Sequence, residues 1–173
     1  MNTNWEAAYH RHTDALYRYL LLRTGDTARA EDVLSQTWMK AIEQQEKFTD
    51  DGRGLAPWLF RIARNTLIDT TRKHKNHADI NAAEPITSNT DAVHDAHQRL
   101  LYERIMHLLE DFHDTEREII LLKICSGQTF REIAEMLNLN ESTIKTKYFR
   151  TLKSLQTKAT KLQLLALILL LSS

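Results

Sequence analysis

The apolar positions in the first part of the chain repeat on a helical period. Trp5, Ala8, Leu16, Tyr19 and Leu20 form one stripe and predict a helix over residues 4–23. Thr24, Gly25 and Asp26 interrupt it and restart the chain. Ala30, Val33, Leu34, Thr37, Trp38, Ala41 and Ile42 then predict a second helix over about 27–46, with all of them buried. A loop from Lys47 to Ala56 is marked by Asp50, Asp51, Gly52 and Gly54. Pro57 suits the first turn of a third helix, where a missing N–H leaves no bond unmade. Trp58, Leu59, Ile62, Ala63 and Leu67 carry that helix to about Lys73.

From His74 to about Thr90 the periodicity fails. Residues 78–90 are small and polar, with Pro85 among them, and read as a flexible linker. Helical spacing returns near Asp91, with Leu101, Ile105, Leu108 and Leu109 on one side. Thr115 and Glu118 have the Thr-x-x-Glu spacing of a capping box. They predict the start of a helix running through Ile119, Ile120, Leu122 and Cys125 to Gly127. The expected fold is all-α. Two small helical domains, 1–74 and 91–158, flank a linker at 75–90, and a tail follows at 159–173.

Residues 127–155 carry the clearest local pattern. Thr129 and Glu132 repeat the capping-box spacing, and Phe130, Ile133, Ala134 and Leu137 give the following helix an apolar face. Asn138 stands where a left-handed residue would turn the chain, and Asn tolerates that conformation. Leu139 is expected to plug the angle between two helices, and Asn140 to cap the second. In that second helix Ile144, Tyr148, Thr151 and Leu155 share an inward face. Ser142, Lys145, Thr146, Phe149 and Arg150 fall outward, with Lys147 and Lys153 at the flanks. Caps, turn and faces together spell a helix-turn-helix, a motif that presents its second helix to a DNA major groove. Its basic residues suit phosphates, its hydroxyls suit bases or phosphates, and Phe149 suits a thymine methyl.

Net charge is zero over 173 residues, which at first argues against a DNA-binding chain. The distribution reverses that conclusion. From Asp26 to Asp51 there are seven acids against three bases, and from Arg53 to Lys75 six bases against one acid. The first stretch suits a basic protein surface, and the second a phosphate backbone. With 42% hydrophobic residues, four Gly and two Pro, the chain can bury cores and should be almost wholly helical. Its single cysteine, Cys125, excludes an intramolecular disulfide framework and fits a reducing cytoplasm as a buried thiol. Residues 1–20 hold charges and no continuous apolar run, so no signal peptide is expected.

Enzymatic and metal chemistry find no support. His10 and His12 do not share a helix face, and the pairs His74/His77 and His94/His97 have no third ligand at matching spacing. No phosphate-binding glycine loop or nucleophile motif is present. No catalytic residue, metal, cofactor or small-molecule substrate is expected. The stretch from Leu162 to Leu171 is nearly uniformly apolar. As a helix it would be about 15 Å long, half of a ~30 Å hydrocarbon core, so it is expected to pack rather than span. Docking on its own domain is favoured over self-association, a membrane surface or a partner.

Two further segments carry a family resemblance. Ala30-Glu31-Asp32-Val33-Leu34-Ser35-Gln36-Thr37-Trp38 resembles the Ala-Glu-Asp-Leu-Val-Gln-Glu-Thr-Phe motif in region 2 of extracytoplasmic-function sigma factors of the sigma-70 family. Pro57-Trp58-Leu59-Phe60-Arg61-Ile62-Ala63-Arg64-Asn65 resembles that family's Ala-Trp-Leu-Tyr-Arg-Ile-Ala-Arg-Asn motif, and residues 127–155 resemble its region 4. The resemblance implies a promoter-specificity subunit of bacterial core RNA polymerase, working in the cytoplasm under an anti-sigma partner. It implies polymerase docking through Glu31, Asp32 and Gln36. It places reading and opening of the minus-ten element on Arg61, Asn65, Arg72 and Lys73. The minus-thirty-five element falls to Ser142, Lys145, Thr146, Phe149 and Arg150. Three departures stand out. Ser35-Gln36 replaces the family's Gln-Glu, Asp111-Phe112-His113-Asp114 replaces a frequent Leu-Pro, and Asn138 replaces the turn glycine.

Two other classes compete. A helix-turn-helix regulator with a helical sensor domain would bind paired half-sites as a dimer, without polymerase. A decoy that has lost DNA binding is disfavoured by Lys145, Lys147 and Arg150.

Overall fold

A computed structural model describes residues 4–77 and 105–158. The chain divides into two compact units, Met1–Ser88 and Asn89–Ser173. The predicted onset of helix near Asp91, Leu101, the greater part of the linker, His94/His97 and the apolar tail all lie outside the described residues. No strand occurs among the described residues.

The first unit packs α1 (Trp5–Thr24), α2 (Thr27–Glu43) and α3 (Ala56–His77) against one another, with a 3₁₀ turn at Gln45–Lys47. Local chemistry sets the helix starts. Asn4 Oδ1 accepts from the Ala7 N–H at 3.0 Å, and Asp26 Oδ1 from the Arg29 N–H at 2.7 Å. Gly25 closes α1 at φ 68°, a left-handed conformation most side chains avoid. The core joins Leu16, Tyr19 and Leu20 of α1 to Ala30, Val33 and Ala41 of α2 and Leu59, Phe60 and Ala63 of α3. Tyr19 and Phe60 meet edge to face at 5.4 Å. Arg29 donates to Thr71 Oγ1 at 2.6 Å and Lys40 to Thr66 Oγ1 at 3.1 Å, tying α2 to α3 antiparallel.

The second unit contains helical residues 105–110 (α4), α5 (Asp114–Cys125), α6 (Phe130–Leu137) and α7 (Glu141–Lys158). Helices α5, α6 and α7 all contact one another. Ile105 and Leu109 join Ile119, Ile120, Leu121, Leu122, Cys125, Ile133, Ile144 and Leu155 in its core.

Four expectations are corrected. Helix α2 ends at Glu43, and Ile42 is 52% exposed, because the three-helix packing covers the opposite side of that helix. The Thr115/Glu118 capping box does not form. Helix α5 is capped two residues earlier, and His113 Nδ1 supplies the cap by accepting from the Thr115 N–H at 3.3 Å, which leaves Glu118 to turn inward and be buried. Leu139 is 38% exposed, so it is covered only in part rather than buried between the two helices. Its backbone N–H bonds Ala134 O at 3.0 Å. Helix α3 continues to His77, into the stretch read as linker.

Candidate nucleic-acid interface

The helix-turn-helix is built as its sequence implies. Thr129 Oγ1 accepts from the Glu132 N–H at 3.2 Å, and Glu132 Oε2 accepts from the Thr129 N–H at 2.7 Å, closing the capping box. Asn138 adopts φ 54°, ψ 46° and turns the chain. Asn140 Oδ1 then accepts from the Thr143 N–H at 2.8 Å and the Ser142 hydroxyl at 2.9 Å. Beneath the outer face, Ile144, Thr151 and Leu155 are buried, so that face is fixed in rotation about the helix axis.

Ser142, Thr146 and Arg150, at i, i+4 and i+8, line one shallow open hollow of about 290 Å³. Thr143 and Lys147 complete it. Thr143 escaped the sequence assignment and Lys147 stood only at its flank; their spacing beside Thr146 and Arg150 was the available signal. Lys145 and Phe149 are exposed but do not line the hollow. Lys145 pairs with Glu141 at 2.6 Å along its own helix. Phe149 joins an aromatic cluster, its centroid 5.9 Å from Phe130 and 5.3 Å from Tyr148. Burial raises the Tyr148 phenol above its ordinary value, so that ring stays neutral.

Arg150 is also engaged from outside its helix. Its Nη2 donates to Glu116 Oε1, from the first turn of α5. Burial pushes the Glu116 carboxyl up, but the Arg150 hydrogen bond and charge, with Lys147 nearby, hold it below its ordinary 4.5. A depressed folded-state value means the pairing stabilises above the unfolded-state value and is lost as pH falls through the folded one. Glu116→Gln should therefore flatten the loss of stability on acidification below about pH 5, read by thermal unfolding across pH. An unchanged acid limb would contradict it.

In the first unit, Arg61, Asn65, Ile68 and Arg72 fall at i, i+4, i+7 and i+11 on α3 and are all exposed. Ile68, 45% exposed, was missed, although the same spacing includes it. Lys73 is exposed but lies about 100° around the helix from Arg72. The loop before α3 is ordered from within. Asp50 Oδ1 accepts from the Gly52 N–H at 2.9 Å and the Gly54 N–H at 3.1 Å. Both glycines have positive φ, and a Cβ on either would meet nothing within 4 Å, so backbone conformation rather than space demands them. Arg53 Nε donates to Asp51 at 2.7 Å, and that bond holds the Asp51 carboxyl below its usual value. Phe48 and Trp58 rings, 5.3 Å apart, anchor the loop to the start of α3.

On α2, Glu31 and Asp32 are exposed and Gln36 is half-buried. The misplaced Ile42 reveals more. Glu31, Ser35, Met39 and Ile42 share one exposed face, with Met39 60% exposed. The surface is thus an apolar centre edged by carboxylates rather than an acidic stripe. Among the described residues no group of three or more His, Cys, Asp or Glu could hold a metal ion.

Comparison with known proteins matches both units. The sigma-70 region 2 family model matches residues 8–77, and the sigma-70 region 4 family model residues 102–155. SigM, an extracytoplasmic-function (ECF) RNA polymerase sigma factor of Bacillus subtilis, is 31% identical over 86% of this chain and 90% of its own. The chain belongs to the ECF group of the sigma-70 family.

The ECF sigma factor BldN of Streptomyces coelicolor is 28% identical over 85% of this chain, which spans 57% of that longer relative. The fold resembles that of the sigma factor RpoE of Bartonella quintana, solved with the anti-sigma factor NepR. The TM-score is 0.67 at 23% identity, covering 89% of this chain and 95% of that one. This sigma factor is a promoter-specificity subunit that binds core RNA polymerase and promoter DNA and directs initiation. The regulator alternative assigned a sensor to the first unit, where the region 2 match lies instead.

In this sigma factor the departures at the opening of region 4 have structural uses. Lys158 Nζ bonds Asp111 Oδ2 at 2.7 Å and sits 5.2 Å from the Phe112 ring centroid, fastening the end of α7. His113 supplies the α5 cap.

Proposed function

We propose that this sigma factor divides initiation among three faces. The Met39/Ile42 face of α2, edged by Glu31 and Asp32 and flanked by Gln36, docks on a basic, partly apolar surface of core polymerase. The α3 face of Arg61, Asn65 and Arg72, with Lys73 beside it and the 50–54 loop before it, reads and opens the minus-ten element. The hollow of Ser142, Thr146 and Arg150, with Lys145 and Phe149 beside it, reads the minus-thirty-five element. One observation supports this division above the rest. The chain folds as two compact units, each with exposed basic residues on one helix face, and a subunit reading two different elements needs two such faces, whereas a dimeric regulator needs one.

The role needs no catalytic group of its own. Among the described residues no helix is long and apolar enough to cross a membrane; action in the cytoplasm, where core polymerase works, is part of the proposed role. An anti-sigma partner, as in the RpoE–NepR complex, would control access to these faces. The domain limits read from sequence, 1–74 and 91–158 about a linker at 75–90 with an apolar tail at 159–173, complete the reading once the first is extended to His77, where α3 ends.

Opening and base reading separate experimentally. Arg61→Ala should lower run-off transcription from a duplex promoter, and a premelted bubble should rescue it, because the bubble removes the unpairing cost. Asn65→Ala should stay defective on the bubble, because a base held outside the stack still loses its contact. Equal rescue of both variants would merge the two roles.

A further inference from the structure

The pairing of Arg150 with Glu116 carries more than the helix-turn-helix pattern does. Arg150 stands on the outer face of α7 with its side chain 68% exposed, while Glu116 comes from α5 with its side chain 12% exposed. The acceptor is therefore nearly fixed and the donor is not. Lys145 with Glu141 makes a useful contrast. That pair lies on one helix, both side chains are near half exposed, and such pairs contribute little.

A carboxylate beside a DNA-facing arginine has a cost. It opposes the phosphate field and reduces what Arg150 adds to sequence-independent attraction. Its gain is geometric. An unheld arginine samples many rotamers, but a guanidinium bonded at Nη2 has that end fixed and still presents other N–H donors of its fork. Recognition of a base edge depends on that orientation, whereas a phosphate contact tolerates its loss. Glu116 is itself set in place, with its backbone N–H bonded to His113 O at 2.8 Å. It also stays ionised, as its lowered carboxyl value indicates.

We propose that Glu116 is a positioning residue for base reading, holding the Arg150 guanidinium from α5 at the cost of phosphate attraction. The inference rests on the minus-thirty-five reading of α7. It is tested in holoenzyme reconstituted from core polymerase and the full chain, transcribing a promoter library randomised across the upstream element. Glu116→Gln should weaken preference at one base pair by about 5- to 10-fold, the low end of what one oriented base contact supplies. It should also raise transcription from non-preferred sequences. Arg150→Ala should abolish preference at that same pair, and Glu116→Gln should add nothing in the Arg150→Ala background. Glu116→Asp, which keeps the charge, should restore part of the preference, and thermal unfolding of each variant separates these effects from misfolding. Additive effects of the two substitutions, or a uniform change at every base pair, would overturn the proposal. A wild-type holoenzyme without preference at any upstream base pair would instead overturn the reading of α7 on which it rests.

Discussion

Replacing both Met39 and Ile42 with Asp is expected to weaken binding to core polymerase by roughly 100- to 1,000-fold. Both side chains are more than half exposed, so little native packing is lost and thermal unfolding should stay near wild type. The effect arises in the complex. Apolar anchors at the centre of an interface, shielded by a polar rim, carry a disproportionate share of binding free energy. A carboxylate there would also be desolvated without a partner. Reversing the rim with Glu31→Lys and Asp32→Lys should act differently. Rim charges steer encounter, so the double variant should slow association and invert its salt dependence more than it speeds dissociation. Equilibrium and stopped-flow titration of labelled sigma factor with core polymerase reads both. Unchanged affinity of the Met39/Ile42 variant would remove α2 as the docking face.

The second large effect is expected in the other unit. Ile144 is fully buried under the recognition face, and Ile144→Ala should cost about 2–5 kcal/mol through lost transfer free energy and a residual cavity. That is a large fraction of what a domain of this size has to spare. Helix α7 would lose the contact that fixes its rotation, and transcription should no longer depend on the minus-thirty-five sequence. Thr146→Ala provides the control. Its hydroxyl already donates to Ser142 O at 2.9 Å and is exposed, so stability should barely change while base preference does. Circular-dichroism melts beside run-off transcription would distinguish them. Parallel loss of stability in both variants would contradict the assignment.

What could be read from sequence follows the range of the interactions involved. The Thr129/Glu132 box, the turn at Asn138 and the Asn140 cap each close within four residues, so residue type and spacing determine them. The same spacing misleads at Thr115 and Glu118. A capping-box pattern can sit two residues past the true cap when a neighbour such as His113 offers that cap and the core takes the glutamate. Ile42 and Leu139 fail for another reason. Periodicity identifies an apolar residue, but only the tertiary neighbours decide whether anything covers it. Exposure of Met39 and Ile42 turns an acidic docking stripe into an apolar patch with an acidic edge. The pairing of Glu116 with Arg150 spans 34 positions across two helices and leaves no local trace.

The most direct test of the three-face account is run-off transcription with purified core polymerase. The template carries a promoter selected from genomic fragments, and either element is then scrambled in turn. The account predicts discrete transcripts that require this chain and core polymerase together, fall when either element is scrambled, and fall again with the Met39/Ile42 variant. Transcripts indifferent to one element, or dimeric binding to paired half-sites with no transcript in the presence of core polymerase, would contradict it.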